Sequence, residues 1–310
     1  MPVIEEDLAW IALQNYGRVG PKMALDAYSK FESLSQLWNL SESQVESLNH
    51  DIRQATSSID LEKQKRILGE IRRNKINLIR YIDINYPAAL KRISGKEAPP
   101  LLLFHKGNLL SFENCVAVVG TRKCTQRAYE FARTLGRSLA HRGYTVVSGL
   151  ARGIDASAHH GALSARGKTV AVLAWMKNPY PPEHVRLLDN ICETGAALSE
   201  NYEQSATSRD RFKFVERNRI ISGISECVIA VESGETGGTS WQVKIAIEQK
   251  KKVLAVKPSL GDEIANSGFK SFISMGAEPV NSVREIISFL EGERKNWRQT
   301  RIEAWERGGQ

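Results

Sequence analysis

Five short apolar runs recur along the chain from residue 115 onward, at 115–119, 144–148, 169–173, 226–231 and 252–256. Runs of this length, bounded by polar turns, read as strands buried on both faces. The stretches between them carry helical periodicity. In 126–142, Phe131, Leu135 and Leu139 are spaced by four, and Gly143 stands where a helix-ending glycine belongs. Strands alternating with helices predict an α/β domain over 115–290, a parallel sheet with helices on both faces. Gly276–Val280 and a last helix from Asn281 close it.

Residues 1–76 have a different rhythm. Leu8, Ile11 and Ala12 share one helical face, and Gly17-Arg18-Val19-Gly20-Pro21 interrupts it. A second helix passes through Met23, Ala27 and Phe31, and a charged helix from about Asp60 to Arg73 has Leu61, Ile67, Leu68 and Ile71 as its stripe. This is a small helical domain of the helix-hairpin-helix or SAM-like kind. Its Gly-Arg-Val-Gly turn suits either a phosphate contact or a plain helix connector. Residues 77–114 form a connecting segment with short strands at 78–82 and 101–104. The charged tail 291–310 carries Trp297 and Trp305 and reads as a solvated extension or a partner-binding helix.

The chain has 310 residues, 42% hydrophobic, enough for about two domains. Its 43 basic and 35 acidic residues leave a net charge of +8, which suits a polyanionic partner. Cys115, Cys124, Cys192 and Cys227 have no CxxC spacing and read as thiols of a reducing compartment. No run approaches a membrane span, and MPVIEEDLAW lacks the order of a signal peptide. A cytoplasmic protein with no membrane partner is expected.

The chemistry concentrates where strands end. Gly120-Thr121-Arg122 follows the first run of the α/β domain, and Ser148-Gly149-Leu150-Ala151-Arg152-Gly153-Ile154-Asp155 follows the second. In a parallel sheet such turns gather at the ligand-binding edge. Glycine admits close approach to the backbone, helix-start amides favour anions, and arginine offers phosphate a fork. A third turn, Glu232–Thr239, presents Gly237 and Gly238, with Thr239 as an expected N-cap; Glu232 and Glu235 oppose phosphate there unless they are otherwise engaged. The stretch Arg209–Arg219 sets five basic residues beside Phe212 and Phe214, the ingredients of a single-strand groove, and Asn218 and Arg219 abut the anchor Ile220-Ile221. Gly161–Thr169 resembles a phosphate loop but has one residue too many and lies between a helix and a strand in the wrong order. Asp155 and His159 share a helix face with no third ligand in view. Asp155 is placed to cap its helix or pair with Arg152. No metal, cofactor or catalytic constellation is indicated.

Together these motifs resemble the DNA-processing protein A family, also called DprA or Smf. The resemblance rests on Val116–Arg122, Val147–Asp155 through Leu163, Tyr86–Leu90, Pro99–Leu102, Tyr180–His184, Leu198–Glu200 and Arg217–Gly223. It implies an extended Rossmann-like domain that binds single-stranded DNA, homodimerises and loads the RecA recombinase in natural transformation, with no enzyme activity. Carried over by motif, the DNA pocket comprises Gly120, Thr121, Arg122, Ser148, Gly149, Arg152 and Gly153 with the stretch Phe214–Arg219. Arg122 and Arg217 clamp phosphates, Phe214 stacks a base, and Arg211 or Lys213 adds charge. Loss of Arg122 or Arg217 is expected to weaken binding without unfolding. The chain departs from the family's pattern at Thr236–Trp241 and Leu173–Pro179, and its short tail stands where many members carry a winged-helix domain. The alternative is a nucleotide phosphoribohydrolase of the lysine-decarboxylase-like group, to which Gly237-Gly238-Thr239 is a partial match.

Overall fold

The structure is a computed structural model. It describes residues 5–93, 98–108, 111–204, 210–259 and 261–293, without the side chains of residues 210 and 211. The tail after 293, including Trp297 and Trp305, lies outside the described residues. The chain forms two compact units, one built from 1–113 and 170–225, the other from 114–169 and 226–310.

The first unit begins with five helices, α1 (Glu6–Tyr16), α2 (Pro21–Phe31), α3 (Glu42–Glu46), α4 (His50–Ser58) and α5 (Leu61–Arg73). Gly17 ends α1 in the left-handed region, and Pro21 opens α2 after Gly20. The break therefore lies within the Gly-Arg-Val-Gly-Pro turn, where the pattern predicts it. Helix α1 buries Leu8 through Leu13, so it is the core helix of the group. Glu6, at its start, accepts from Trp10 Nε1 (2.8 Å), the amides of Leu34 (3.1 Å) and Ser35 (3.0 Å), and the Ser33 hydroxyl. Burial alone would raise its carboxyl, but these donors together hold it below the usual carboxylate range. Asp60 caps α5 at the Lys63 amide, 3.0 Å away.

The rest of this unit is a four-stranded sheet in the order β1 (Asn77–Arg80), β2 (Leu102–Gly107), β6 (Ala196–Ser199), β5 (Thr169–Leu173). Strand β2 runs antiparallel to both β1 and β6, while β5 and β6 are parallel. The short strands of the connecting segment are thus sheet members, and β6 is a strand that the apolar pattern does not announce. Helices α8 (Val185–Thr194), α9 (Asp210–Glu216) and α10 (Asn218–Ile224) complete the unit.

The second unit matches the expected parallel pattern throughout. Its strands are β3 (Cys115–Val119), β4 (Thr145–Ser148), β7 (Cys227–Ala230), β8 (Lys252–Val256) and β9 (Glu278–Val280). They run in the order β4-β3-β7-β8-β9, every pair parallel. Four helices, α6 (Gln126–His141), α7 (Ile154–Ser164), α11 (Gly238–Glu248) and α12 (Glu263–Met275), pack with it, and residues 283–293 are helical. Val116, Val118, Val146, Ile229 and Leu254 are core strand residues, met by Leu135 and Leu139 of α6 and Ile286 of the last helix. No disulfide joins the four cysteines. Burial pushes the Cys115 thiol up to about 12 and that of Cys192 to about 11, so neither is a nucleophile at neutral pH. The order of these strands reverses direction between β3 and β7. Open α/β sheets bind ligands at such a switch point, outside the carboxyl ends of the strands.

Candidate nucleic-acid interface

Three turns crown the second unit, after β3, β4 and β7, and they are laced to one another. The Thr121 amide donates to the Glu232 carbonyl (2.7 Å), and the Ile154 amide donates to the Thr121 carbonyl (3.3 Å). A side chain at Gly120 would meet Ile154 Cγ1 at 2.5 Å, and one at Gly153 would meet the Thr121 carbonyl oxygen. Gly153 also has φ 75°, a conformation that favours glycine. These two glycines are therefore fixed by close packing within the protein, Gly120 against the Ile154 side chain and the Glu232 carbonyl, Gly153 against the backbone of Thr121 and Arg122. Ser148 is equally committed: its buried hydroxyl donates to the Val118 carbonyl at 2.6 Å.

Asp155 neither caps α7 nor stands at the surface. Gly153 is the N-cap, and the buried Asp155 carboxylate accepts from the amides of Gly149 (3.1 Å) and Ala151 (3.3 Å). The carboxylate takes the place an external anion would occupy on those amides. It braces a turn in which Leu150 holds a positive φ of 62° with its side chain fully buried. His159 is structural as well. Its Nδ1 lies 2.7 Å from Thr169 Oγ1, which donates to the Val146 carbonyl at 2.8 Å. With the hydroxyl proton committed there, Nδ1 is assigned as the donor.

What these turns offer a ligand is side-chain charge. Arg122 and Arg152 are exposed, and so are Lys123 and Arg127, which follow the first turn and escape motif reading because only their placement singles them out. Arg127 donates to Ser259 Oγ at 2.8 Å. Glu232 is engaged: its carboxylate accepts from the Thr125 amide (2.8 Å) and hydroxyl (2.6 Å). It is thereby held at the start of α6. In the third turn Gly237 is the N-cap of α11, not Thr239. Gly238 opens the helix, and Thr239 is buried in its first turn. Trp241 is exposed, with Lys244 Nζ 5.4 Å from its ring centre.

The aromatic and basic stretch belongs to the first unit. Phe214, on α9, is half-buried and in T-shaped contact with two rings, Trp175 at 5.1 Å and Tyr180 at 5.7 Å. Phe212 and Tyr180 are exposed. Lys213 pairs with Glu216 at 2.8 Å. The side chain of Arg211 lies outside the described residues. Arg217, between α9 and α10, is only 8% exposed. Its guanidinium donates to the Val172 carbonyl at the end of β5 and to Asn218 Oδ1 (3.3 Å). Arg219 pairs with Glu200 where both are largely buried. Arg217 and Arg219 therefore anchor the helices to the ends of β5 and β6, and Asn218 is buried with them. The structure brings Phe214 and Lys213 to the surface of this unit. It gathers Gly120, Thr121, Arg122, Gly149, Arg152, Gly153, Gly237 and Gly238 at the strand ends of the other.

A parallel sheet flanked by helices, with basic turns at its carboxyl edge, is a Rossmann-like α/β architecture. The chain belongs to the DprA/Smf family: residues 77–291 match the family model described as DNA recombination-mediator protein A. It is 36% identical over 231 residues to the DNA processing protein DprA of Bacillus subtilis, covering 74% of this chain and 76% of that one. It is 30% identical to protein Smf of Synechocystis over 92% of this chain and 73% of that one. The X-ray structure of DprA from Streptococcus pneumoniae superposes with a TM-score of 0.73 at 27% identity, over 89% of this chain and 95% of that one. The Helicobacter pylori DNA processing protein A, whose structure concerns its single-stranded DNA binding mode, shares the fold with a TM-score of 0.61 at 23% identity. It covers 71% of this chain and 97% of that one.

Proposed function

We propose that this protein binds single-stranded DNA without sequence preference and acts as a recombination mediator, as a homodimer that delivers a RecA-type recombinase. The observation that carries the reading is Phe214, a half-buried ring clustered in T-shaped contact with Trp175 and Tyr180 within a basic stretch. An aromatic cluster of this kind offers a base a surface to stack on, and stacking is indifferent to base identity. Exposed Arg122 and Arg152 supply phosphate contacts on the second unit. Membership in a family described as recombination mediators supports the same role. Among the described residues no helix is long and apolar enough to cross a membrane.

The test is a fluorescence-anisotropy titration with labelled single- and double-stranded oligonucleotides at two salt concentrations. Preferential, salt-sensitive binding of the single strand is expected. Phe214→Ala should cost about 1–3 kcal/mol of affinity, the worth of one stacked base. Equal binding of both DNA forms, or none of either, rejects the reading. Light scattering of the free protein tests the dimer, and RecA filament formation on protein-coated single strands tests delivery.

A further inference from the structure

A cavity of about 250 Å³ opens within the first unit, lined by α1, α5 and the ends of β5 and β6. Trp175 and Tyr202 line it, and both are buried. The lining also holds an amide pair: Asn15 Nδ2 donates to Gln64 Oε1 at 2.7 Å. Gln64 is only 5% exposed, and its remaining amide nitrogen has no hydrogen-bond partner among the described residues. Gln64 lines the cavity, where water or a ligand can complete that nitrogen. Flipping both amides moves the unmatched atoms but leaves the same unfilled edge. Exposed Lys63 and half-buried Lys213 also line it. The one carboxylate in the lining, Glu203, is shared by Lys63 (3.8 Å) and Lys177 (3.6 Å).

Aromatic walls, an amide edge with unmet hydrogen-bonding capacity and cations at the mouth are what a nucleotide requires: an apolar base with a polar edge and an anionic end. The volume lies below the ~300–1,000 Å³ of pockets for drug-sized ligands, so it suits one base with its sugar. We propose that this cavity is a mononucleotide site. The base enters between Trp175 and the Asn15–Gln64 edge, and Lys63 and Lys213 hold the phosphate outside. Lys213 then exchanges Glu216 for phosphate, and exposed pairs of that kind give way readily. Trp175 also touches Phe214, so the occupant is either a free nucleotide or a base from a strand lying on Phe214. The strand source rests on the single-strand reading above.

Two measurements on the full chain decide it. Equilibrium dialysis compares deoxynucleoside monophosphates with deoxyribose 5-phosphate, for the wild type and Gln64→Met. Photocrosslinking with an oligonucleotide carrying 5-iododeoxyuridine, mapped by mass spectrometry, reports a strand-borne base. Nucleotide binding about ten-fold weaker without the base, and about ten-fold weaker in Gln64→Met at unchanged melting temperature, establishes the site. If Gln64→Met melts early, the base-free comparison in the wild type stands alone. Crosslinks at Trp175 or Tyr202 assign the strand as source. Nucleotide binding without oligonucleotide binding leaves a free-nucleotide site and rejects only the single-strand reading. Intact oligonucleotide binding with neither nucleotide binding nor those crosslinks overturns the cavity and spares that reading. Equal binding of nucleotide and sugar phosphate, without those crosslinks, also overturns it.

Discussion

Arg217 shows how far one residue's role depends on burial. By motif it is a phosphate clamp, and its loss should leave the fold intact. In the folded unit the residue is 8% exposed, and its guanidinium serves the Val172 carbonyl and the Asn218 side chain. Removing a charged donor from buried acceptors costs about 1.5–3 kcal/mol. Arg217→Ala is therefore expected to lower unfolding stability by that amount, and Arg217→Lys by less, since an ammonium can keep one of the two acceptors although it cannot span both. Chemical denaturation measures this. Unchanged stability with lost DNA binding would return Arg217 to the ligand side. Arg122 is the opposite case. It is exposed on the turn after β3, so Arg122→Ala should leave stability within about 0.5 kcal/mol of wild type.

At the scale of elements, two junctions govern local order. The first is Glu6, which ties α1 to the turn at 33–35 through four donors. Its folded carboxyl titrates below the unfolded value, so its contribution is present above the unfolded pKa of about 4.3. It is lost as pH falls through the lower, folded value. Glu6→Gln should thus destabilise the protein at neutral pH by about 1–3 kcal/mol, and the gap should close in acid. Thermal melts from pH 7 to 3 test this; a gap that persists at the acid end would assign Glu6 a packing role. The second junction is the contact of the β3 and β4 turns. Gly153→Ala there forces a left-handed residue against the Thr121 carbonyl, at an expected cost of at least about 1–3 kcal/mol. Denaturant unfolding reads the loss directly.

At the scale of the whole molecule, the excess of 43 basic over 35 acidic residues bears on association and not on the fold. Each phosphate contact on a single strand contributes about 0.7 to the slope of log affinity against log salt. Arg122→Ala should reduce the measured slope by about that much. An unaltered slope would remove Arg122 from the interface while leaving the other basic turns in it.

The sequence by itself determined the periodic parts. Unbroken apolar runs must be buried on both faces, so β3, β5 and β8 fall where the pattern puts them, and α6 runs between Thr125 and the expected Gly143. Only tertiary structure decided the rest. Strand β6, Ala-Ala-Leu-Ser, has no β-branched residue to mark it and exists because β2 and β5 flank it. The antiparallel course of β2 follows from pairing, which a hydrophobic run does not encode. The anion-friendly glycines and amides were legible as residue types, but not as contacts. Whether an amide meets a ligand or Asp155, and whether a glycine admits a phosphate or Ile154, depends on which distant segment arrives there. The same physics hid the Gln64 cavity: an amide on a charged helix reads as solvated until Asn15, Trp175 and Tyr202 close around it.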